Sequence, residues 1–178
     1  MEEKKKSVAM HGITYGAITA VVVIVVSLLL YILDQNLNRS VNWITFLFLI
    51  AGIVWGQFEY RNKVLGGYIA YGKAFSAGFM IALFSGIFLI LYNFIFFQFI
   101  APGTINEILE MQRQTIVETN PQFTDEQVEQ AMDIFSRFSS PVMLIIFGFI
   151  SQLIIGAIVC LITSIFVKKE DQSQTSTI

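Results

Sequence analysis

The stretch ITYGAITAVVVIVVSLLLYIL, Ile13 to Leu33, runs for twenty-one residues without an Asp, Glu, Lys or Arg. A helix needs roughly twenty apolar residues to cross about 30 Å of hydrocarbon, so this run has the length and character of a membrane span. A soluble core in a chain of this size has no use for so long an uninterrupted run. The whole composition agrees. Of 178 residues, 55% are hydrophobic and 13% charged, with a mean hydropathy of +0.68; a soluble domain has roughly 45–50% apolar and about 25% charged residues.

On the N-terminal side of this run, MEEKKK at residues 1–6 has the basic character of a signal-peptide flank. The apolar part is too long for a signal peptide and no small-x-small cleavage site follows it, so an uncleaved anchor is expected. On the C-terminal side three further spans are expected. WITFLFLIAGIVWGQF, Trp43 to Phe58, is short, but Trp43 and Trp55 fall near its ends, where amphipathic rings prefer the headgroup layer. The third covers residues 74–101 and the fourth 141–167, both longer than the minimum and so expected to tilt or project. The fold class that follows is all-α: one domain over residues 1–178, a polytopic transmembrane four-helix bundle with an extracytoplasmic helical hairpin at residues 103–140, between the third and fourth spans.

Basic residues set the orientation. In the four-span arrangement Lys4, Lys5, Lys6, Arg61, Lys63, Lys73, Lys168 and Lys169 fall on one side, and Arg39, Arg113 and Arg137 on the other. Cytoplasmic loops carry the excess of Lys and Arg, which places both termini and the 59–73 connection in the cytoplasm. The formal net charge of −2 argues against a nucleic-acid partner. Cys160 is the one cysteine and lies inside an apolar run, so there is no internal disulfide and no cysteine metal cluster.

The connection EYRNKVLGGYIAYGKAF, Glu59 to Phe75, carries Gly66, Gly67 and Gly72 ahead of Lys73. Phosphate-cradling loops place a Ser or Thr after the lysine or follow a strand. Here Ala74 follows Lys73, and no strand pattern precedes the glycines. The pair Gly66–Gly67 instead suits a turn that needs positive φ. Arg61, Lys63 and Lys73 would keep it cytoplasmic, with Tyr60, Tyr68 and Tyr71 at interface depth. GGYIAYGKAF, the later FIAPGTINEILE, Pro141 and a last helix ending FVKK together resemble a family of uncharacterised four-helix bacterial membrane proteins known only as a domain of unknown function. The resemblance covers about residues 8 to 170, and its most specific part is Gly66, Gly67, Tyr68, Ile69, Tyr71, Gly72, Lys73, Ala74 and Phe75. It implies an integral inner-membrane protein and supplies no activity and no catalytic residues.

Small residues mark where helices approach closely in lipid. They recur at Gly12, Gly16 and Ala20; at Gly52 and Gly56; at Ala74, Gly78, Ala82 and Gly86; and at Gly148, Gly156, Cys160 and Ser164. Short GxxxG matches arise often by chance in apolar helices, so the weight falls on the last two series, and the Gly78 and Gly156 faces are expected to meet. Among polar residues in the spans, Ser85 is central, Asn93 and Gln98 lie toward the outer end of the third, and Gln152 is near the middle of the fourth. Ser85, Asn93 and Gln152 are the candidate polar interior, and an amide bond across a helix pair is the expected role of Gln152. His11, without a second His or a Cys beside it, is expected to be a satisfied interfacial histidine rather than a metal ligand. No cofactor is expected.

Within 103–140 two helices are expected, divided at Asn120–Pro121, with capping patterns at TINE (Thr104–Glu107) and TDEQ (Thr124–Gln127). Val128, Met132, Phe135 and Phe138 or Ser139 form an apolar stripe in the second. Seven acids against Arg113 and Arg137 give the segment a net charge of −5, a surface that would repel anionic headgroups unless cations or a basic partner intervened. The sequence lacks HExxH, GxSxG, the EF-hand pattern and paired carboxylates within the spans. A non-enzymatic accessory or oligomerising membrane protein is therefore expected, with the lipid bilayer and a homo-oligomer or a membrane-protein partner as its company. The alternative is a subunit of a small-molecule or ion transporter or channel.

Overall fold

The computed structural model describes residues 7–169, so the basic flank at residues 1–6 lies outside the described residues. Six α-helices form among the described residues, and no strand does. α1 (Val8–Ile32) starts where the Ser7 hydroxyl accepts from the Met10 amide at 3.2 Å, satisfying one of the unpaired donors of the first turn. It ends ahead of Asp34, whose φ of 53° turns the chain. α2 (Arg39–Glu59) starts at Asn38, whose side-chain oxygen accepts from Ser40 N at 3.0 Å.

The second span was expected to close at Phe58, but the helix continues through Glu59 and a π-helical turn at Tyr60–Val64. Charge ends the apolar run without ending the helix. Glu59 pairs with Lys63 one turn on and accepts from Tyr15 Oη at 3.1 Å, so its carboxylate is satisfied while the backbone stays helical. The third helix, α3 (Tyr71–Ile95), likewise starts three residues before the expected Ala74 and runs into a second π-helical turn at Phe96–Ile100. α4 covers Thr104–Thr119, α5 Asp125–Phe138 and α6 Pro141–Val167.

Four helical stretches are long and apolar enough to cross a membrane: Val8–Ile32, Trp43–Val64, Tyr71–Ile100 and Pro141–Val167. At 1.5 Å per residue the shortest, of 22 residues, spans about 33 Å, enough for a hydrocarbon layer of about 30 Å.

The described chain forms two compact units. The first comprises the chain up to Leu89 together with that from Ser151 onward; the second is Ile90–Ile150. In the first, α3 is the common neighbour, and glycines explain why. A Cβ on Gly12 of α1 would lie 2.6 Å from Met80 Cβ, and one on Gly16 would lie 2.8 Å from Phe84 Cβ and 2.9 Å from the Ser85 backbone nitrogen. Gly56 of α2 approaches the tip of Ile81, and Gly52 meets Thr19 of α1 with Thr19 Cγ2 2.6 Å from a built Cβ. Gly156 of α6 lies against Ala82, 2.9 Å by the same measure. These close approaches leave little room for a side chain at the glycines, and the dispersion contacts they permit replace the hydrophobic drive that lipid does not supply.

Around these contacts Val23, Leu49, Ile53, Ile81, Ala82 and Cys160 form one buried cluster. Tyr60, Ile69, Ala74, Ala77 and Val167 form a second one. α6 is the least buried of the four long helices.

In the second unit α4 and α5 pack on each other, with an Arg113–Glu129 ion pair at 3.7 Å between them. α5 has the expected capping box: Thr124 Oγ1 accepts from Gln127 N and Gln127 Oε1 accepts from Thr124 N. At α4 the expectation fails. Gly103 is the N-cap and Thr104 is already the first helical residue, buried and without a side-chain cap bond, because the tight turn after Ala101 starts the helix one residue early. Val128 and Ser139 are the buried positions of the α5 stripe, whereas Phe138 stays 54% exposed.

Candidate functional site

Polar chemistry in the first unit gathers at one end, where α1, α2, α3 and α6 approach. His11 is buried and, as expected, satisfied: its Nε2 donates to the Gly56 carbonyl at 2.8 Å. Gly56 has no side chain to cover its carbonyl, so a ring on another helix can reach it. The imidazole stacks on Tyr15 at 4.2 Å and meets the Tyr60 ring edge-on at 4.9 Å. Tyr60 is buried against these rings. Tyr15 continues the series with an edge-on contact to Trp55 and its bond to Glu59.

Next to Gly56 on α2, Gln57 is fully buried. Its Nε2 donates to the Ala74 carbonyl at 3.1 Å and to Ser164 Oγ at 3.2 Å, joining α2 to α3 and α6. Its Oε1 is buried without a hydrogen-bond partner. Gly78 faces the same amide so closely that any Cβ would overlap it, and Cys160 Sγ lies 2.8 Å from that built position. Gln57 stands inside the expected Trp43–Phe58 span, at its end, but is not among the candidate polar residues read from the sequence. Its signal was position: it directly follows Gly56 of the second small-residue pair, and a polar side chain beside a close backbone approach is well placed to bond across it.

Of the candidate polar interior, Ser85 and Gln152 come together. Ser85 Oγ donates to the Ala82 carbonyl at 3.0 Å, and Gln152 Nε2 reaches the same carbonyl at 3.4 Å and Ser85 Oγ at 3.3 Å. Asn93 belongs to the second unit and is not part of that pair. Among the small residues, Gly78, Ala82, Gly86 and Gly156 are buried. Gly148 is not: it is exposed, and a Cβ there would meet nothing within 4 Å.

The glycine connection is held down rather than loose. Gly66 and Gly67 take φ of 70° and 100°, with open space around both, so backbone conformation and not crowding is what asks for glycine. Gly67 N donates to the Arg61 carbonyl at 2.8 Å. Ile69 and Lys169 exchange two backbone bonds, of 2.8 and 3.0 Å, which tie the connection to the end of α6. Tyr68, Gly72 and Lys73 are exposed. Among the described residues, no three of His, Cys, Asp or Glu gather as a metal-binding group.

Four long apolar helices joined by buried polar ties define a helical protein with the makings of a multi-pass membrane protein. The chain matches the model of the family described as protein of unknown function (DUF4199) over residues 14–169, and belongs to that family. No curated protein and no solved structure matches the chain.

Proposed function

We propose that this chain is an integral protein of a bacterial inner membrane, without enzymatic activity, that supports or assembles with a membrane partner or with further copies of itself. In this reading both termini and the Leu65–Ala70 connection face the cytoplasm, and α4 and α5 form an extracytoplasmic hairpin. The eight-to-three distribution of Lys and Arg supports that sidedness. The observation that carries the reading is the use of polar side chains as ties between helices. His11 holds α2, Gln57 holds α3 and α6, and Gln152 holds α3; groups spent on such ties serve the architecture of a scaffold. Affinity purification in mild detergent followed by native mass spectrometry tests it. A retained membrane-protein partner or a defined homo-oligomer is expected, and a bare monomer that carries a small solute would overturn it.

One observation favours transport as a second reading. The unpartnered Gln57 Oε1 is a polar acceptor inside the spans, and buried acceptors of this kind line solute paths. Uptake assays in vesicles distinguish the two: Gln57→Leu abolishes flux if the chain is a transporter.

A further inference from the structure

Three apolar helical stretches end together around the Leu65–Ala70 connection: the π-helical turn after α2 at Val64, α3 at Tyr71 and α6 at Val167. Backbone pairing of Ile69 with Lys169 ties the chain just before α3 to the end of α6, and the Arg61 Nη1 bond to the Val167 carbonyl, 3.1 Å, ties the turn after α2 to it as well. The side chains gathered there are basic. Arg61, Lys63, Lys73, Lys168 and Lys169 stand against Glu59, whose carboxylate is already engaged by Lys63 and Tyr15. Glu170 and Asp171 follow in the sequence, outside the described residues.

These cations are arranged rather than scattered. The Arg61 guanidinium lies 4.7 Å from the Phe58 ring centroid, and the Lys169 ammonium lies 5.4 Å from that of Tyr68. Lys73 sits in the first turn of α3, four residues beyond the paired Ile69, and is exposed. Tyr68 and Tyr71 are exposed at 44% and 37%, and Tyr71 Oη donates to the Leu161 carbonyl, which keeps its ring beside α6.

We propose that this basic, tyrosine-flanked end of the first unit docks the phosphate headgroups of anionic phospholipid. Charge complementarity selects a phosphate, and depth selects a lipid as its source. The cations lie where three apolar helices stop, the level at which headgroup phosphates lie and at which tyrosine rings are at home. Ordinary juxtamembrane lysines on a flexible loop would attract anionic lipid diffusely. Here the backbone pairing of Ile69 with Lys169 and the Lys169–Tyr68 contact hold these groups together before a lipid arrives, which reduces the ordering cost of binding. The inference rests on the membrane reading above and not on which side of the membrane this end faces.

The test compares the full-length protein in nanodiscs of phosphatidylglycerol and of phosphatidylcholine, by thermal melting and by native mass spectrometry of retained lipid. Wild type melts higher in phosphatidylglycerol and retains it. The Lys73→Gln/Lys169→Gln variant retains on the order of tenfold less phosphatidylglycerol, melts as wild type does in phosphatidylcholine, and loses the difference between the two. Lys73→Arg/Lys169→Arg keeps the preference, which separates charge from folding. An Arg113→Gln/Arg137→Gln variant, altered in the second unit, also keeps it. Undiminished retention by the glutamine variant would overturn the proposal, as would equal loss in the Arg113/Arg137 variant. Stabilisation of the detergent-solubilised protein by inorganic phosphate to the same extent would assign the cations to a free anion instead. Maleimide labelling of Gly72→Cys in intact cells reads sidedness separately: labelling by an impermeant maleimide from outside the cell overturns the proposed orientation and leaves the lipid result standing.

Discussion

Gln57 of α2 donates to Ser164 of α6 at 3.2 Å, a bond between two fully buried side chains 107 residues apart. Inside a membrane such a bond is worth less than intuition suggests, because the separated helices find other partners; the average is about 0.6 kcal/mol and the maximum about 1.7 kcal/mol. A double-mutant cycle with Gln57→Leu and Ser164→Ala is expected to return a coupling within that range. Equilibrium unfolding in mixed micelles measures it, and additive effects of the two substitutions would mean that the bond does not join the helices.

Gly78 is tightly constrained, since a methyl there overlaps the Gln57 amide and crowds Cys160. Both neighbours are clamped: Gln57 by two bonds and Cys160 within the buried cluster. Gly78→Ala should therefore cost about 1–3 kcal/mol through overpacking, and Gly78→Leu should cost more. Gly156→Leu, against Ala82, should also lower the melting temperature. Gly148→Ala, inside α6 with nothing within 4 Å, should not destabilise and should gain up to about 1 kcal/mol of helix propensity. Melting temperatures in one detergent rank the four; a Gly148 variant as damaging as Gly78→Ala would contradict the packing described.

His11 combines a hydrogen bond and a ring stack, and substitution can separate them. His11→Phe keeps an aromatic ring against Tyr15 and Tyr60 but removes the imidazole donor from the Gly56 carbonyl, which retains only the Tyr60 amide, at a cost of about 1 kcal/mol. His11→Ala loses both and should cost more by roughly the 0.5–1.5 kcal/mol of an aromatic pair. Should the two variants melt together, the stacking in α1 and α2 contributes nothing beyond the bond.

Much of this arrangement is legible in the amino-acid order. Runs such as Ile13–Leu33 admit few alternatives to a span, and the four stretches follow from apolar length alone. The Gly66–Gly67 turn shows in its composition, and so does the Thr124 capping box. The first two small-residue pairs were harder to weigh, because GxxxG is common in apolar helices and no local pattern tells a packed face from a lipid-facing one. In the structure Gly12, Gly16, Gly52 and Gly56 all make close contacts, whereas exposed Gly148 makes none. The end of α2 is not legible from where charge begins: a Glu–Lys pair one turn apart is compatible with helix, so the helix passes Glu59, and Gln57, near the end of the apolar run, has no local pattern that decides its burial. The cross-chain partners, Gly56 for His11 and Ser164 for Gln57, depend on tertiary register that no single segment encodes.

The two capping patterns of the second unit make opposite predictions from similar sequence. Thr124 and Gln127 bond reciprocally to each other's backbone amides, so Thr124→Ala removes a working cap and should cost about 1 kcal/mol. Thr104 stands one residue inside α4 and caps nothing through its hydroxyl. Thr104→Ser, which keeps the hydroxyl while removing a methyl from a buried position, should therefore act through packing alone and leave the first-turn amides of α4 as protected as before. Hydrogen exchange read residue by residue makes the comparison: Thr124→Ala should speed exchange at Gln127 and its neighbours, with α4 unchanged. Fraying of α4 in Thr104→Val, which is isosteric but lacks the hydroxyl, would show that Thr104 is a cap after all and that α4 begins where the TINE pattern places it.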